Sequence, residues 1–311
     1  MKKIKMTQEQ LFKNLNRPEG KIDVVLDTDA YNEIDDQFAI SYMLKHSEKL
    51  NVKGICAAPF KNARSVSPAD GMRKSYNEIL KLLKLAGEEK YSAKVFKGSD
   101  TYLPDENTAV DSEASDFIAE LANGYSNDNP LYIVAIGAIT NVASAIIKNP
   151  EIKEKAVIVW LGGHAQHIGS PVGEFNMVQD IAAARVVYGC GVPLVQLPCV
   201  GVVDSFATSK YELEHWLKGK NKLCDYLLES AVNEAESYAA GKPWTRVIWD
   251  VTAIAWLIDT EGIFMRDRLI RNYLPEYDLH YAENSDGHFM KYVYKINRDA
   301  LFEDLFRRLA E

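Results

Sequence analysis

Apolar residues along the chain fall into two recurring patterns: short unbroken runs, and longer stretches at helical spacing. Val24-Val25-Leu26, Val52 to Ala58, Leu131 to Ile136, Ala156 to Leu161 and Pro193 to Leu197 are short runs with frequent β-branched residues, which predict buried strands, and Lys94 to Lys97 adds a shorter one. Between them, Pro68 to Ala86 places Met72, Tyr76, Ile79, Leu80 and Leu83 on one helical face. Ala114 to Leu121, Ile181 to Tyr188 and residues 209–239 (one or two helices) repeat that spacing. Strand alternating with helix predicts an α/β fold, with a mostly parallel central sheet flanked by helices. The tail reads as a hairpin from Tyr273 to Ile296, turning near Asn284 to Gly287, and a final helix from Arg298. Residues 1–20 form a polar, lysine-rich extension with a short surface helix before Arg17-Pro18-Glu19-Gly20. With no internal repeat, low-complexity segment or linker, residues 1–311 are expected to form a single domain.

The first run leads into an acidic turn. Asp27, Asp29, Glu33, Asp35 and Asp36 follow Leu26 within ten residues, and Ile34, Phe38, Ala39, Tyr42 and Met43 then recur at helical spacing, so a helix is expected from Asn32 or Glu33. A strand running into a helix puts this turn at the carboxyl edge of the sheet, where such folds bind ligands. So many anions in one turn repel each other unless something positive neutralises them, and a hard divalent cation with oxygen ligands does so most simply. A capping role for Asn32, with acidic residues favoured by the helix dipole, accounts for Glu33, Asp35 and Asp36 but leaves Asp27 and Asp29 unexplained. Asp250 poses the same question alone among Val247, Ile248, Trp249, Val251, Ala253, Ile254 and Ala255. A buried carboxylate needs a cation or strong donors; the structural alternative is a helix cap served by the backbone of Thr252 and Ala253.

Composition narrows the partners. Across 311 residues, 36 Lys+Arg against 44 Asp+Glu give a net charge of −8, which argues against nucleic acid or an anionic membrane as the main partner. No stretch before Pro18 is apolar enough for a signal peptide and no run reaches the length of a membrane span, so a cytoplasmic protein is expected. Cys56, Cys190, Cys199 and Cys224 are scattered without a CxxC pair, giving neither a disulfide framework nor a zinc site; Cys56 and Cys199 read as small buried hydrophobes.

Three further motifs join the acidic turn: Gly137-Ala138-Ile139-Thr140-Asn141-Val142-Ala143, Glu174-Phe175-Asn176, and Asp250 followed by Val251-Thr252-Ala253-Ile254-Ala255. Together, over residues 22–260, they resemble the inosine-uridine nucleoside hydrolase family, with its Rossmann-like fold. The resemblance implies calcium bound by Asp29, Asp36, Asp250 and the backbone carbonyl of Ile136. It assigns Asp35, Glu174 and Asn176 to the ribose and makes Asp29 the base for the attacking water. The implied activity is hydrolysis of the N-glycosidic bond of ribonucleosides to free base and ribose, by a homo-oligomer (dimer or tetramer). If the Glu-Phe-Asn stretch is extended, Glu174 and Asn176 project together and Phe175 packs away.

The chain also departs from that family. Its spacer Ala30-Tyr31-Asn32-Glu33-Ile34 is two residues longer and lacks the usual glycine. The Asn expected six positions before the Glu is Ile168, so that sugar contact is missing or supplied elsewhere, for instance by His167. Asn62 and Asn77 are the local candidates for a further Asn reaching the sugar. Trp249 stands where many members carry a His beside the last Asp, and no other histidine fits that slot. This resembles the purine-specific branch, where a Trp stacks on the base; the alternative is that Trp249 is a core residue. Two other functions stay open. Asp27-Thr28-Asp29 after an apolar strand also resembles magnesium-dependent phosphatases with an aspartyl nucleophile, and the departures leave room for a ribose- or nucleoside-binding protein without catalysis.

Overall fold

The computed structural model describes residues 6–169, 171, 173–283 and 287–311. Six of the expected runs form strands β1 (Ile22–Thr28), β2 (Leu50–Ala57), β3 (Val95–Lys97), β4 (Leu131–Ala135), β5 (Ala156–Leu161) and β6 (Leu194–Leu197). They lie in the order β3-β2-β1-β4-β5-β6, and the sheet continues through Phe289–Ile296 to Met265–Arg271, eight strands in all. Every neighbouring pair is parallel except the last, in which Met265–Arg271 runs antiparallel to Phe289–Ile296. The chain builds outward from β1 to β3, then returns to the other side of β1 as β4, with Asp27 in register with Ala135. Strand order therefore reverses between β1 and β4, and the crevice beyond their carboxyl ends is where this architecture accepts ligands.

Alternation along β1 feeds two cores: Val24 and Leu26 pack with one buried cluster and Val25 with the other. On the first face the helix Asp35–Leu44 is buried along its whole length, and the more apolar helix Val251–Ile258 packs against it. A helix apolar all round needs cover on every side. That pairing sets Asp250 beside the acidic turn. Glu113–Leu121, Thr140–Lys148 and Ile181–Gly189 cover the other face.

Several expectations need correcting. The helix after the acidic turn starts at Asp35 with Ile34 at its N-cap, because Asn32 and Glu33 are drawn into contacts of their own. Residues 209–239, expected as one or two helices, form two, Lys210–Leu217 and Lys222–Ala239. The apolar stretch before Val251 is not all helix, since Arg246–Val247 pairs antiparallel with Ala207–Thr208. In the tail, Phe289–Ile296 pairs with Met265–Arg271, while Tyr273–Pro275 and Tyr281–Glu283 make a separate two-stranded hairpin. Met265–Arg271 carries three arginines and an aspartate, which suits an exposed edge and hides it from an apolar-run reading. Of the expected turn, Asn284 to Asp286 lie outside the described residues. The polar amino-terminal stretch carries the expected short helix, and it is docked on the rest of the chain. Thr7 and Gln10 cap the helix Gln8–Asn14, Leu11 and Leu15 are buried, and Arg17 pairs with Asp259 and Asp267.

Candidate functional site

A cavity of about 170 Å³ opens at the reversal point, at the carboxyl ends of β1, β4, β5 and β6. Asp29, Asp35, Asp36, Ile136, Glu174, Asn176, Trp249 and Asp250, the eight residues singled out in the sequence, all line it. The four aspartates are each no more than 4% exposed. Burial is the largest influence on all of them and drives each carboxyl above its usual range. Mutual repulsion adds to this for Asp29, Asp35 and Asp250; Asp36, eased by a hydrogen bond from Thr28, rises to about 7.

Oxygen atoms of Asp35, Asp36 and Asp250 lie within 4.8 Å of one another. Both carboxylate oxygens of Asp29 are buried without a hydrogen-bond partner among the described residues. Asp250 makes no side-chain cap bond, which removes the structural explanation for it. A crowded, all-oxygen set of carboxyls, of which Asp29 has no hydrogen-bond donor, fits a hard divalent cation. Ile136 lines the same cavity, and its carbonyl accepts from Asn176 Nδ2 at 3.2 Å with a second lone pair left over. Gly137 follows it, and a Cβ there would fall 3.0 Å from Asp29 Cγ. The close approach of backbone to carboxylate at this point favours glycine.

The Thr-Asn pair after Gly137 is a brace. Asn141 Nδ2 donates to Asp27 at 2.7 Å and to the carbonyl of Ala57, while its oxygen accepts from the backbone and hydroxyl of Ser99. One amide thereby ties together the ends of β1 and β2 and the turn after β3. Thr140 donates to Asp180 at 2.7 Å, and Asp180 caps the helix Ile181–Gly189. Asp27 itself is fully buried, raised to about 7 by burial, and turned to Asn141 away from the cavity. A phosphatase-type nucleophile cannot work from there.

The opposite wall is built differently. Glu174 is the N-cap of the short helix Phe175–Gln179, accepting from the backbone of Gly163, Asn176 and Met177 at 2.7–2.8 Å. Glu-Phe-Asn is thus a helix start and not an extended segment, and Phe175 lines the cavity beside its neighbours. Asn176 reaches across the β4 and β5 ends to the carbonyls of Ile136 and Leu161. Trp249 is half-buried, unlike the fully buried Trp160 and Trp256; it lines the cavity wall and also packs against the first core cluster.

The structure also brings in residues that sequence reasoning missed. His164, Cys199 and Val200 line the β5–β6 side. Their signal was available: Gly162-Gly163 ends β5 directly before His164, and Pro198 follows β6, both at the carboxyl edge. His167, suggested for the missing sugar contact, lines a separate cleft with Arg268, Tyr292 and Tyr294. Asn62 grips the side chain of Asn32, and Asn77 is exposed on its helix. The longer spacer is pinned at three points, through Tyr31 to Ser75, Asn32 to Asn62 and Glu33 to Arg246 at 2.6 Å.

An eight-stranded α/β sheet with an acidic, metal-competent cavity at its switch point defines the class of protein. The family is then set by comparison. The profile of the inosine-uridine preferring nucleoside hydrolase family matches residues 24–288, and the chain belongs to that family. It is 30% identical over 152 residues to a putative pyrimidine-specific ribonucleoside hydrolase, RihB, of Shigella dysenteriae, a match covering 47% of this chain and 54% of that protein. The chain spans about half the length of the curated relatives it matches. Among solved structures, a purine-preferring ribonucleoside hydrolase from Gardnerella vaginalis superposes with a TM-score of 0.73 at 20% identity, covering 93% of this chain and 98% of that one. The type III effector protein XopQ, complexed with adenosine diphosphate ribose, gives 0.68 at 15% identity over 99% of both chains. These likenesses share the nucleoside hydrolase fold.

Proposed function

We propose that the chain is a calcium-dependent hydrolase of purine ribonucleosides, releasing base and ribose. The observation that carries this reading is the carboxylate of Asp29, buried with no protein donor beside the clustered Asp35, Asp36 and Asp250. Asp29, Asp36, Asp250 and the Ile136 carbonyl hold the ion. Calcium supplies there a Lewis acid for water and a grip on vicinal sugar hydroxyls. Asp29 takes the proton of the water that attacks the anomeric carbon, as the sugar passes through an oxocarbenium-like state. Asp35, Glu174 and Asn176 fix the ribose so that its C1 face meets that water. Trp249 gives the departing purine an aromatic face, and the ring takes its proton from solvent.

Assaying a panel of nucleosides by reducing-sugar release, with and without chelator, tests this directly. Calcium-dependent release with purines ahead of uridine is expected, and full activity in exhaustively chelated protein overturns it. The same reading takes the protein to be a cytoplasmic homo-oligomer, dimer or tetramer, which light scattering and fractionation check. A second reading is favoured by the likeness to an effector holding adenosine diphosphate ribose: the cavity grips a ribose without cleaving it. Tight nucleoside binding with no base released would select it.

A further inference from the structure

The β5–β6 wall of the cavity contains a side chain whose hydrogen-bonding state is fixed by its surroundings. Val200 N donates to Nδ1 of His164 at 3.3 Å. A backbone N–H can only donate, so Nδ1 is the acceptor and the proton of the neutral ring sits on Nε2. Burial favours that neutral form by pushing the imidazole pKa below its usual value. The backbone of His164 is also held on both sides, its N–H donating to the Tyr281 hydroxyl at 3.0 Å and its carbonyl accepting from the same hydroxyl. Cys199 N to the Gly163 carbonyl and Ala165 N to the Val200 carbonyl tie this loop to the end of β6. The result is a rigid ring lining the cavity, with Nε2–H free of protein partners among the described residues.

Next to it stands Glu174. The residue before His164, Gly163, gives its N–H to the Glu174 carboxylate at 2.7 Å, so acceptor and donor are neighbours on one wall. A carboxylate beside an N–H donor complements a hydroxyl group, which must both give and receive a hydrogen bond. The Asp29, Asp35, Asp36 and Asp250 cluster occupies the β1 side, and β5 and β6 lie two and three strands away. At about 4.8 Å per strand the two walls are roughly 10–14 Å apart at strand level, before side chains narrow the gap. A ribose whose vicinal hydroxyls face the aspartates has the β5–β6 wall within reach of its hydroxymethyl arm.

We propose that His164 is a substrate-specificity residue: its Nε2–H, paired with the Glu174 carboxylate, receives the 5′-hydroxyl of the nucleoside. This rests on the nucleoside reading above. It places the sugar contact, left without its Asn by Ile168, on His164 and not on His167.

The test compares inosine with 5′-deoxyinosine in the calcium-loaded wild type, in His164→Phe, which keeps the ring volume without the donor, and in His164→Gln, which keeps an N–H. The wild type should favour inosine. His164→Phe should lose about tenfold in kcat/KM for inosine and little for 5′-deoxyinosine, collapsing the ratio, with the loss carried mainly by KM. His164→Gln should recover part of the ratio, and calcium affinity should stay constant across the three proteins. If the wild type binds nucleosides without cleaving them, calorimetric Kd values give the same ratio. A ratio within twofold of wild type in folded, calcium-binding His164→Phe overturns the role of His164 alone. A wild type that neither cleaves nor binds any nucleoside overturns the parent reading and this one together.

Discussion

Asp29 and Glu174 are both buried carboxylates on one cavity, and burial raises the pKa of each. Glu174 receives three backbone N–H groups, whereas Asp29 receives none on either oxygen. The contrast separates two uses of the same chemical group. A carboxylate already supplied with donors is a fixed acceptor, ready to orient a hydroxyl. One buried without donors is costly until a cation arrives, and here three more aspartates share that cost. The β1 wall is therefore incomplete by design of its residues, while the β5 wall is self-sufficient.

The comparison breaks most readily at Asp36. Asp36→Ala should lose bound calcium and reduce kcat/KM on the order of 10³-fold, several kcal/mol of transition-state stabilisation, with circular dichroism unchanged. Wild-type calcium binding by calorimetry in this variant would place the ion elsewhere.

Asn176 sharpens the comparison from the other wall. Asn176→Ala frees the carbonyls of Ile136 and Leu161 and should cost about 10²-fold in turnover through loss of substrate positioning, while calcium still binds. Unchanged turnover on the best substrate would show that the ribose is held without it.

A third measurement reads stability. Asp27 and Asp36 have folded pKa values of about 7, above the ordinary 3.8, so between those values the folded state binds more protons than the unfolded one. Stability of chelated protein should accordingly fall as pH rises from about 4 to 7. Calcium at a fixed concentration, 100 times its Kd at pH 7, should restore about 2.7 kcal/mol there and less at pH 5, where protons compete for the carboxylates. A chelated Tm that is flat or rising across this window would mean that the aspartates are not under strain.

The smallest effect is expected at Trp249. Aromatic stacking contributes about 1 kcal/mol beyond buried area, so Trp249→Ala should narrow the inosine-to-uridine ratio of kcat/KM by about fivefold. A wild type preferring uridine, or a ratio unmoved by the substitution, would remove Trp249 from base recognition.

Much of this was legible in the sequence for a physical reason. The apolar runs of β1, β4 and β5 are buried on both faces, so their composition announces them, and a carboxylate such as Asp250 is conspicuous in apolar surroundings. Met265–Arg271 was not legible, because an exposed edge strand has no need of an apolar pattern. Nor was the Phe175–Gln179 helix, since a five-residue helix is too short to show a period and is set by the Glu174 cap. His164 was missed although Gly162-Gly163 marked the carboxyl end of β5, because its place on the cavity wall also needs the pairing of the β5 and β6 loop ends, a tertiary relation that local spacing does not carry.

Gly137 gives the cavity an unusual vulnerability. A single methyl group at that position would press against the Asp29 carboxylate, at 3.0 Å from Cγ and 3.1 Å from Oδ1, without adding or removing any charge. Gly137→Ala would then crowd that carboxylate by volume alone, displacing it by a few tenths of an ångström and leaving all four cavity aspartates in the sequence. Such a chain is a matched control for cellular experiments, identical in charge to the wild type and differing by one methyl group beside Asp29.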